Sequence, residues 1–382
     1  MKIGFDGKRA AQNRTGLGNY SRFVLRILSE QHPENDYHLF IPNQKKTPFL
    51  HEIPTLKALH CHFPLTPLAQ RLASLWRVWG MGGDLRREGI QVFHGLSNEL
   101  PLTIRKAGCR SVVTIHDLIF LRYPQYYRPI DRIIYNFKFR RACINADKII
   151  AVSEYTKQEI VYFYGIDSSK IEVVYQGCDR IFAQRPPQER LDQVKLLYHL
   201  PQRFLLYVGS IEERKNLMLV AKALVQMSDT GTPEAQLPHV VAVGKRTPYT
   251  ARLQTFLARH GITSTFTFLH NVGYAHLPAF YYLATAFVYP SRIEGFGIPL
   301  LEAVTASLPA IGCTGSCLEE AGGDGCLYVH PDDAKGMAEA IQRVMGDEAL
   351  RAEMIARGRQ HALRFTDEVL CRDLLRVYSA LQ

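Results

Sequence analysis

The sequence is short of the features that mark a membrane or metal protein. No run of 18 apolar residues occurs in its 382, so no transmembrane helix is expected. The opening "MKIGFDGKRA" reads as a strand followed by polar residues, without the apolar stretch of a secretory leader, so a cytoplasmic location is expected. The eight cysteines form no CxxC pair; Cys313 and Cys317 have neither a second pair nor a histidine at zinc spacing. Reduced, mostly buried thiols and no structural metal are the expectation. HExxH, the P-loop GxxxxGK[ST], an Asp-x-Asp pair and a Ser-His-Asp order are all missing. Neither a divalent cation nor a cofactor is implied. The dinucleotide fingerprint lacks its third glycine, which weakens NAD-dependent oxidoreduction.

What is present is globular: 47% hydrophobic and 21% charged residues, enough for two domains with substantial cores. The net charge of +10 is uneven, with 26 Lys and Arg against 16 Asp and Glu in residues 1–183 and 20 against 20 in the rest. An excess confined to the N-terminal half suggests an anionic partner: a membrane surface, a phosphorylated lipid or a nucleic acid. Groove-reading motifs and stacking platforms are not evident, so nucleic acid is not expected.

Short β-type runs alternate with helical ones. Strands are expected at 2–6, 37–42, 56–63, 91–95, 111–117 and 148–153, and helices at 18–31, 67–80, 129–146 and 154–164. The polar stretch 176–194 with Pro186-Pro187 breaks the pattern and reads as a linker. Alternation then resumes with strands at 204–210, 239–244, 265–269, 286–291 and 309–313, and helices follow Ala334. Two doubly wound α/β domains facing a cleft are the expected fold, with ligands at the carboxyl ends of strands. The expected boundaries are 1–180, a linker at 181–200, a second domain at 201–365, and a last helix at 366–382.

Several turns carry chemistry. In "NRTGLGNYSR", Gly16 and Gly18 open a helix whose free N–H groups suit an anion, or form only a tight turn. In "VVTIHDLIFL", His116 ends an apolar strand, where it can meet a hydroxyl or move a proton, or be satisfied by backbone. In "VGSIEERKNL", Arg214 and Lys215 precede a helix expected near Asn216. Cations at a helix start are unfavourable unless an anion sits there. In "YPSRIEGFGIPLLEAV", Glu294 and Glu302 flank Gly295, Phe296 and Gly297, and Pro299 fits a first helical turn. Two acids around exposed amides suit a ligand with both hydroxyls and phosphates. A further strand-to-helix turn at Ser316, Cys317 and Leu318 reads as an ordinary loop or a third such site.

Together these residues resemble the retaining glycosyltransferases of family 4. "EGFGIPLLEA" is similar to their paired-glutamate motif and "VGSIEERKN" to their donor-phosphate segment. "GLGNY", His116-Asp117, "AVSEYTK" and "GCLYVHPDD" follow in the family's order across essentially the whole chain. The resemblance implies the GT-B fold, two Rossmann-like domains with a last helix crossing back to the first. It implies a nucleotide-diphosphate sugar donor, first of all GDP-mannose, with UDP-sugars next. Carried over, Glu302 binds ribose hydroxyls. Glu294 and the amides of Gly295, Phe296 and Gly297 hold the sugar and approach the diphosphate. Lys215 and Arg214 bind diphosphate, His116 contacts the sugar, and Gly16, with Gly18 two residues on, lies near the β-phosphate. Ser210 stands in the donor segment where many members have arginine, and Arg214 supplies the second cation. Metal-independent transfer with retention is the implied reaction.

The basic half would take the acceptor. Segment 68–89 mixes Leu68, Leu72, Leu75, Trp76 and Trp79 with Arg71, Arg77, Arg86 and Arg87; segment 128–142 adds Arg128, Arg132, Lys138, Arg140 and Arg141. Such basic amphipathic stretches suit a membrane interface, or are core helices with solvated arginines. A saccharide or lipid-diphosphate-linked acceptor, at the inner face of the plasma membrane, fits the first reading. The alternatives are a soluble glucan or sugar-phosphate synthase of the same fold, and a non-catalytic nucleotide-sugar or nucleic-acid binding protein.

Overall fold

The computed structural model describes residues 1–53 and 56–382. The chain forms two compact units, Met1–Gly177 with Phe365–Gln382, and Cys178–Arg364. Each is built on one parallel sheet.

The first sheet contains β1 (Lys2–Asp6), β2 (Asp36–Phe40), β3 (Leu59–His62), β4 (Val92–Gly95), β5 (Arg110–Ile115), β6 (Lys148–Ala151) and β7 (Ile171–Val173), in the order β3-β2-β1-β4-β5-β6-β7. The second contains β8 (Leu205–Val208), β9 (Val240–Val243), β10 (Phe266–Leu269), β11 (Ala286–Tyr289), β12 (Ala310–Cys313) and β13 (Cys326–Val329), in the order β10-β9-β8-β11-β12-β13. Both orders reverse beside the first strand, as in doubly wound Rossmann-like domains. The central strands are apolar and buried on both faces because helices cover both sides: Ile3 and Phe5 in β1, and Leu205, Leu206 and Tyr207 in β8, are solvent-free. The short strands β7 and β13 lie at sheet edges; sequence pattern alone did not predict them.

The last helix, Asp367–Ser379, belongs to the first unit. Its Leu370, Leu374, Val377 and Tyr378 are buried there, against the helix Gly16–Gln31. Arg26 on that helix pairs with Asp367 at 2.8 Å. The Tyr378 hydroxyl meets Nδ1 of His94 at 2.7 Å inside the core.

The expected linker is corrected. Residues Gln188–Leu197 are a helix of the second unit, and Phe182, Leu191, Val194 and Leu200 are buried in its core. Pro186-Pro187 misled because proline ends one element and also starts the next: Pro187 caps this helix. The chain leaves the first unit at Gly177 and returns at Phe365. All eight cysteines are free thiols and five are buried. Among the described residues no helix is long and apolar enough to cross a membrane.

Candidate functional site

In the second unit β8 and β11 are parallel neighbours, so their carboxyl ends open on the same side. After β8 the chain turns at Gly209, whose carbonyl would lie 1.7 Å from a Cβ at Gly244. A 3₁₀ turn, Glu213–Lys215, then ends at Asn216 in left-handed conformation, φ 56°. Asn216 tolerates this and donates through Nδ2 to Pro331 O at 2.8 Å. The helix therefore begins at Leu217, with Arg214 and Lys215 in the turn before it. After β11 the chain reaches Gly297 at φ 104°, then the helix Ile298–Thr305 with Pro299 in its first turn. Only glycine suits Gly297, since a side chain there would be strained and 2.6 Å from Leu318. A backbone bond from Arg292 N to Arg214 O, 3.0 Å, ties the two turns.

The tie brings Arg214, Lys215 and Glu294 into one cluster. Lys215 Nζ donates to Glu294 Oε1 at 2.6 Å and to the Tyr289 hydroxyl at 2.5 Å. Arg214 meets Glu294 Oε2 at 3.0 Å, Glu212 at 2.9 Å, and Ile293 O at 2.8 Å. Ser291 and Tyr289 also donate to Glu294 Oε1, at 2.5 and 3.2 Å. Glu294 is only 8% exposed. Burial alone would raise its pKa, but Lys215 and Arg214 outweigh burial and hold it down at about 2. Burial lowers the Lys215 pKa, with Glu294 opposing.

This arrangement changes the sequence argument about the two cations. They are balanced within the protein by Glu294 and Glu212, so no bound anion is needed to explain them. Glu294 likewise is engaged by cations and hydroxyls and is not a free acceptor for sugar hydroxyls.

Glu302 sits apart, on the helix after Gly297. Its Oε2 accepts from the Tyr281 hydroxyl at 2.7 Å. Burial pushes its pKa up to about 8, with the Tyr281 bond opposing and Asp179 assisting. The two glutamates thus have opposite character, one a fixed anion and one a proton-holding carboxyl. Ser210 is exposed beyond Gly209, and its carbonyl accepts from Tyr207. Cys317 Sγ donates to the carbonyl of Glu294 at 3.0 Å, which joins the third turn to this site.

The first unit holds the other sequence candidates. A short helix, Lys8–Gln12, separates β1 from the helix that Gly16 opens. Gly16 and Gly18 differ sharply: a Cβ at Gly16 meets nothing within 4 Å, whereas one at Gly18 would lie 1.8 Å from Asn13 O. Gly18 is needed for packing, and Gly16 is the one with open space beside it. His116 follows β5 and is 7% exposed. Its Nε2 lies 2.9 Å from Leu96 O and its Nδ1 2.8 Å from Gln176 Nε2, so Nε2 carries the proton and Nδ1 accepts. Tyr20 packs edge-on at 4.7 Å. Burial pushes the His116 pKa down to about 4, so the imidazole is neutral at ordinary pH with both nitrogens engaged. The sequence expectation of proton transfer at His116 does not fit this state.

Tyr289, Ser291, Tyr281 and Gln176 were not singled out from sequence. Tyr289 and Ser291 lie in the motif stretch itself and could have been found as alternate residues of a strand end. Tyr281 and Gln176 reach their partners from 21 and 60 residues away, a distance no local pattern encodes.

Two Rossmann-like units, with an acid–base cluster at the carboxyl ends of adjacent strands in the second, define the GT-B class of glycosyltransferases. Residues 20–181 match the family described as Glycosyltransferase Family 4, and residues 189–361 match Glycosyl transferases group 1. The chain belongs to the family 4 glycosyltransferases. It is 27% identical over 100% of both chains to O-antigen chain mannosyltransferase B of Escherichia coli. It is 30% identical to O-antigen chain mannosyltransferase RfbU of Salmonella typhimurium, over 61% of this chain and 60% of that one. In fold it resembles a glycosyltransferase from Rickettsia africae, with TM-score 0.76, 15% identity and 99% and 98% coverage. It also resembles Anabaena HepE in complex with UDP-glucose, with TM-score 0.76, 15% identity and full coverage of both chains.

Proposed function

We propose that this glycosyltransferase moves a hexose, first of all mannose from GDP-mannose, onto a saccharide or lipid-diphosphate-linked glycan in cell-surface polysaccharide synthesis. The observation that carries the reading is the Lys215–Glu294–Arg214 cluster at the β8 and β11 ends, with Glu302 on the adjoining helix. The O-antigen mannosyltransferases among its relatives support mannose as the sugar.

Cleavage of a sugar–phosphate bond puts negative charge on the departing diphosphate. Lys215 and Arg214, already oriented by Glu294, stabilise that charge without reorganising. Glu302, with its proton and an acceptor oxygen, holds the two ribose hydroxyls. The amides of Gly295, Phe296 and Gly297 and the Ser210 turn line the donor path. Retention follows from same-face attack: the acceptor oxygen bonds to the anomeric carbon as the phosphate oxygen leaves and takes the hydroxyl proton. Within the first unit, Gly16 has open space beside it and His116 is neutral, with Leu96 and Gln176 as its partners. No metal is required in this scheme.

Contact with an anionic membrane is part of the proposal. Leu68, Leu72, Leu75 and Trp79 are exposed, as are Ile130 and Ile133 on the helix Pro129–Asn145. Arg71, Arg128, Arg140 and Arg141, on the same two segments, are exposed as well. Trp76 and Arg77 do not join this surface. Trp76 is buried with its Nε1 on Asp84 at 2.7 Å, and Arg77 is buried between Asp6 and Glu99.

A thermal-shift panel of nucleotide sugars, followed by transfer of labelled sugar from the one that binds, tests the donor. A selective shift with GDP-mannose is expected; no shift with any nucleotide sugar overturns the reading. Flotation with anionic vesicles at low salt tests the membrane part, which fails if the protein stays at the bottom. A soluble phosphorylated sugar serving as acceptor, without vesicle binding, would favour the sugar-phosphate synthase alternative.

A further inference from the structure

The second and third strands carry histidines that the donor site does not use. In "DYHLF" and "LHCH" they alternate, and β2 and β3 pair in register with His38 opposite His60 and Phe40 opposite His62. Alternation puts His38, His60 and His62 on one face of the sheet, beside its edge. The rings stack, His38 on His60 at 4.9 Å and on His62 at 5.0 Å, with Phe40 on His62 at 4.8 Å. His38 is 5% exposed. Its Nδ1 lies 2.8 Å from His62 Nε2, so the buried His38 and the half-buried His62 face each other nitrogen to nitrogen.

Carboxylates surround the pair. Asp36 Oδ2 is 3.1 Å from His38 Nε2 and Asp36 Oδ1 is 3.0 Å from His60 Nε2. Glu88, just past the helix Met81–Arg87, brings Oε1 to 3.9 Å from His62 Nδ1. One ligand atom from each of His38, His62 and Glu88 lies within 4.8 Å of the other two. The cations nearby are Lys2, 3.8 Å from Asp36, and Arg87, 3.2 Å from Glu88.

We propose that His38, His62 and Glu88 bind one zinc ion that ties β2, the edge strand β3 and the end of the Met81–Arg87 helix together. Imidazole and carboxylate are zinc ligands at about 2.0–2.2 Å. Two nitrogens at that distance on a tetrahedral ion are about 3.3 Å apart, so the two rings need separate by only about half an ångström. Glu88, whose Oε1 lies on the Nδ1 side of the His62 ring, swings toward the Nε2 side as it leaves Arg87, which keeps Asp84 as its partner at 2.7 Å. His38 Nε2 is buried without a hydrogen bond in the structure, with Asp36 Oδ2 3.1 Å away; a small turn of the ring on zinc binding gives it that partner, the carboxylate–histidine–metal arrangement of protein zinc sites. Water completes the fourth position. Local sequence spacing hides this set, because its members lie on three separate segments and meet only through strand pairing. The site is independent of the donor reading.

The test uses the untagged full chain stripped with chelator and titrated with zinc chloride by calorimetry, and with cobalt chloride by visible absorbance. One ion per chain and a tetrahedral cobalt spectrum without thiolate charge-transfer bands are expected. His62→Ala should abolish binding, and Asp36→Asn should weaken it about 10–100-fold. Glu88→Gln keeps the side-chain shape; loss of binding there with unchanged zinc-free melting separates ligation from misfolding. Absence of saturable binding, wild-type affinity in His62→Ala or in Glu88→Gln, or thiolate bands from the eight cysteines overturns the proposal.

Discussion

Replacing Glu294 by glutamine removes the carboxylate that Lys215 and Arg214 share. Both cations then sit largely buried with their main counter-charge gone, although Arg214 keeps Glu212. The magnitude follows from the carboxyl's pKa, held at about 2 against an ordinary 4.5. That difference, at about 1.4 kcal/mol per unit, is worth about 3 kcal/mol at neutral pH. Breaking a buried ion pair by removing one partner costs about 3–5 kcal/mol, which agrees. The sign with pH is fixed by a depressed folded pKa. The stabilisation is complete above pH 4.5 and is lost as pH falls through about 2. Wild type and Glu294→Gln should therefore differ by about 3 kcal/mol at pH 7 and converge on acidification. Tryptophan emission will not read this, because Trp76 and Trp79, the two tryptophans, both lie in the first unit. Hydrogen exchange of β8 and β11 peptides, read by mass spectrometry, reports the second unit directly. A neutral-pH difference inside about 0.5 kcal/mol, the range of an ordinary surface substitution, would refute the reasoning. So would a gap that stays constant as pH falls.

Lys215→Ala should lower sugar transfer by about 10²–10³-fold while the fold persists, since Arg214 still neutralises Glu294; steady-state rates beside a melting curve check both halves. Gly18→Ala should lower the melting midpoint by forcing a methyl group into the Asn13 carbonyl, whereas Gly16→Ala should leave it unchanged. Equal midpoints for the two would contradict the packing role of Gly18. Glu302 has a folded pKa raised to about 8, so its stabilising contribution is complete below pH 4.5 and is lost as pH rises through 8. Glu302→Gln should flatten that decline, and parallel stability curves for the two proteins across this range would count against it.

Much of the fold was legible because its elements announce themselves locally. Among the described residues, short β-type runs bounded by Gly, Pro and polar turns marked eleven of the thirteen strands. Those missed, β7 and β13, are short edge strands where half-buried residues replace a clean apolar run. The linker was misread because a Pro-Pro pair followed by a polar stretch gives no sign that Leu191 and Val194 face a core. At the site, Arg214, Lys215, Glu294 and Glu302 were all visible as unusual polar residues at strand-to-helix turns. Their state was not. A cation beside a helix start has the same sequence signature whether an external anion or an internal glutamate balances it, and only Glu294 at 2.6 Å from Lys215 distinguishes the two.

The sequence by itself determined the alternation of strands and helices, the parallel sheets that alternation forces, and the turns where glycine, proline and charge concentrate. Those properties depend on residues within a few positions of one another. Tertiary structure alone decided which charges neutralise which, why one glutamate is an anion and the other holds its proton, and that three histidines from two strands stack on one face. The reason is physical: electrostatic energy and desolvation depend on distance and burial, and parallel pairing sets both between segments tens of residues apart.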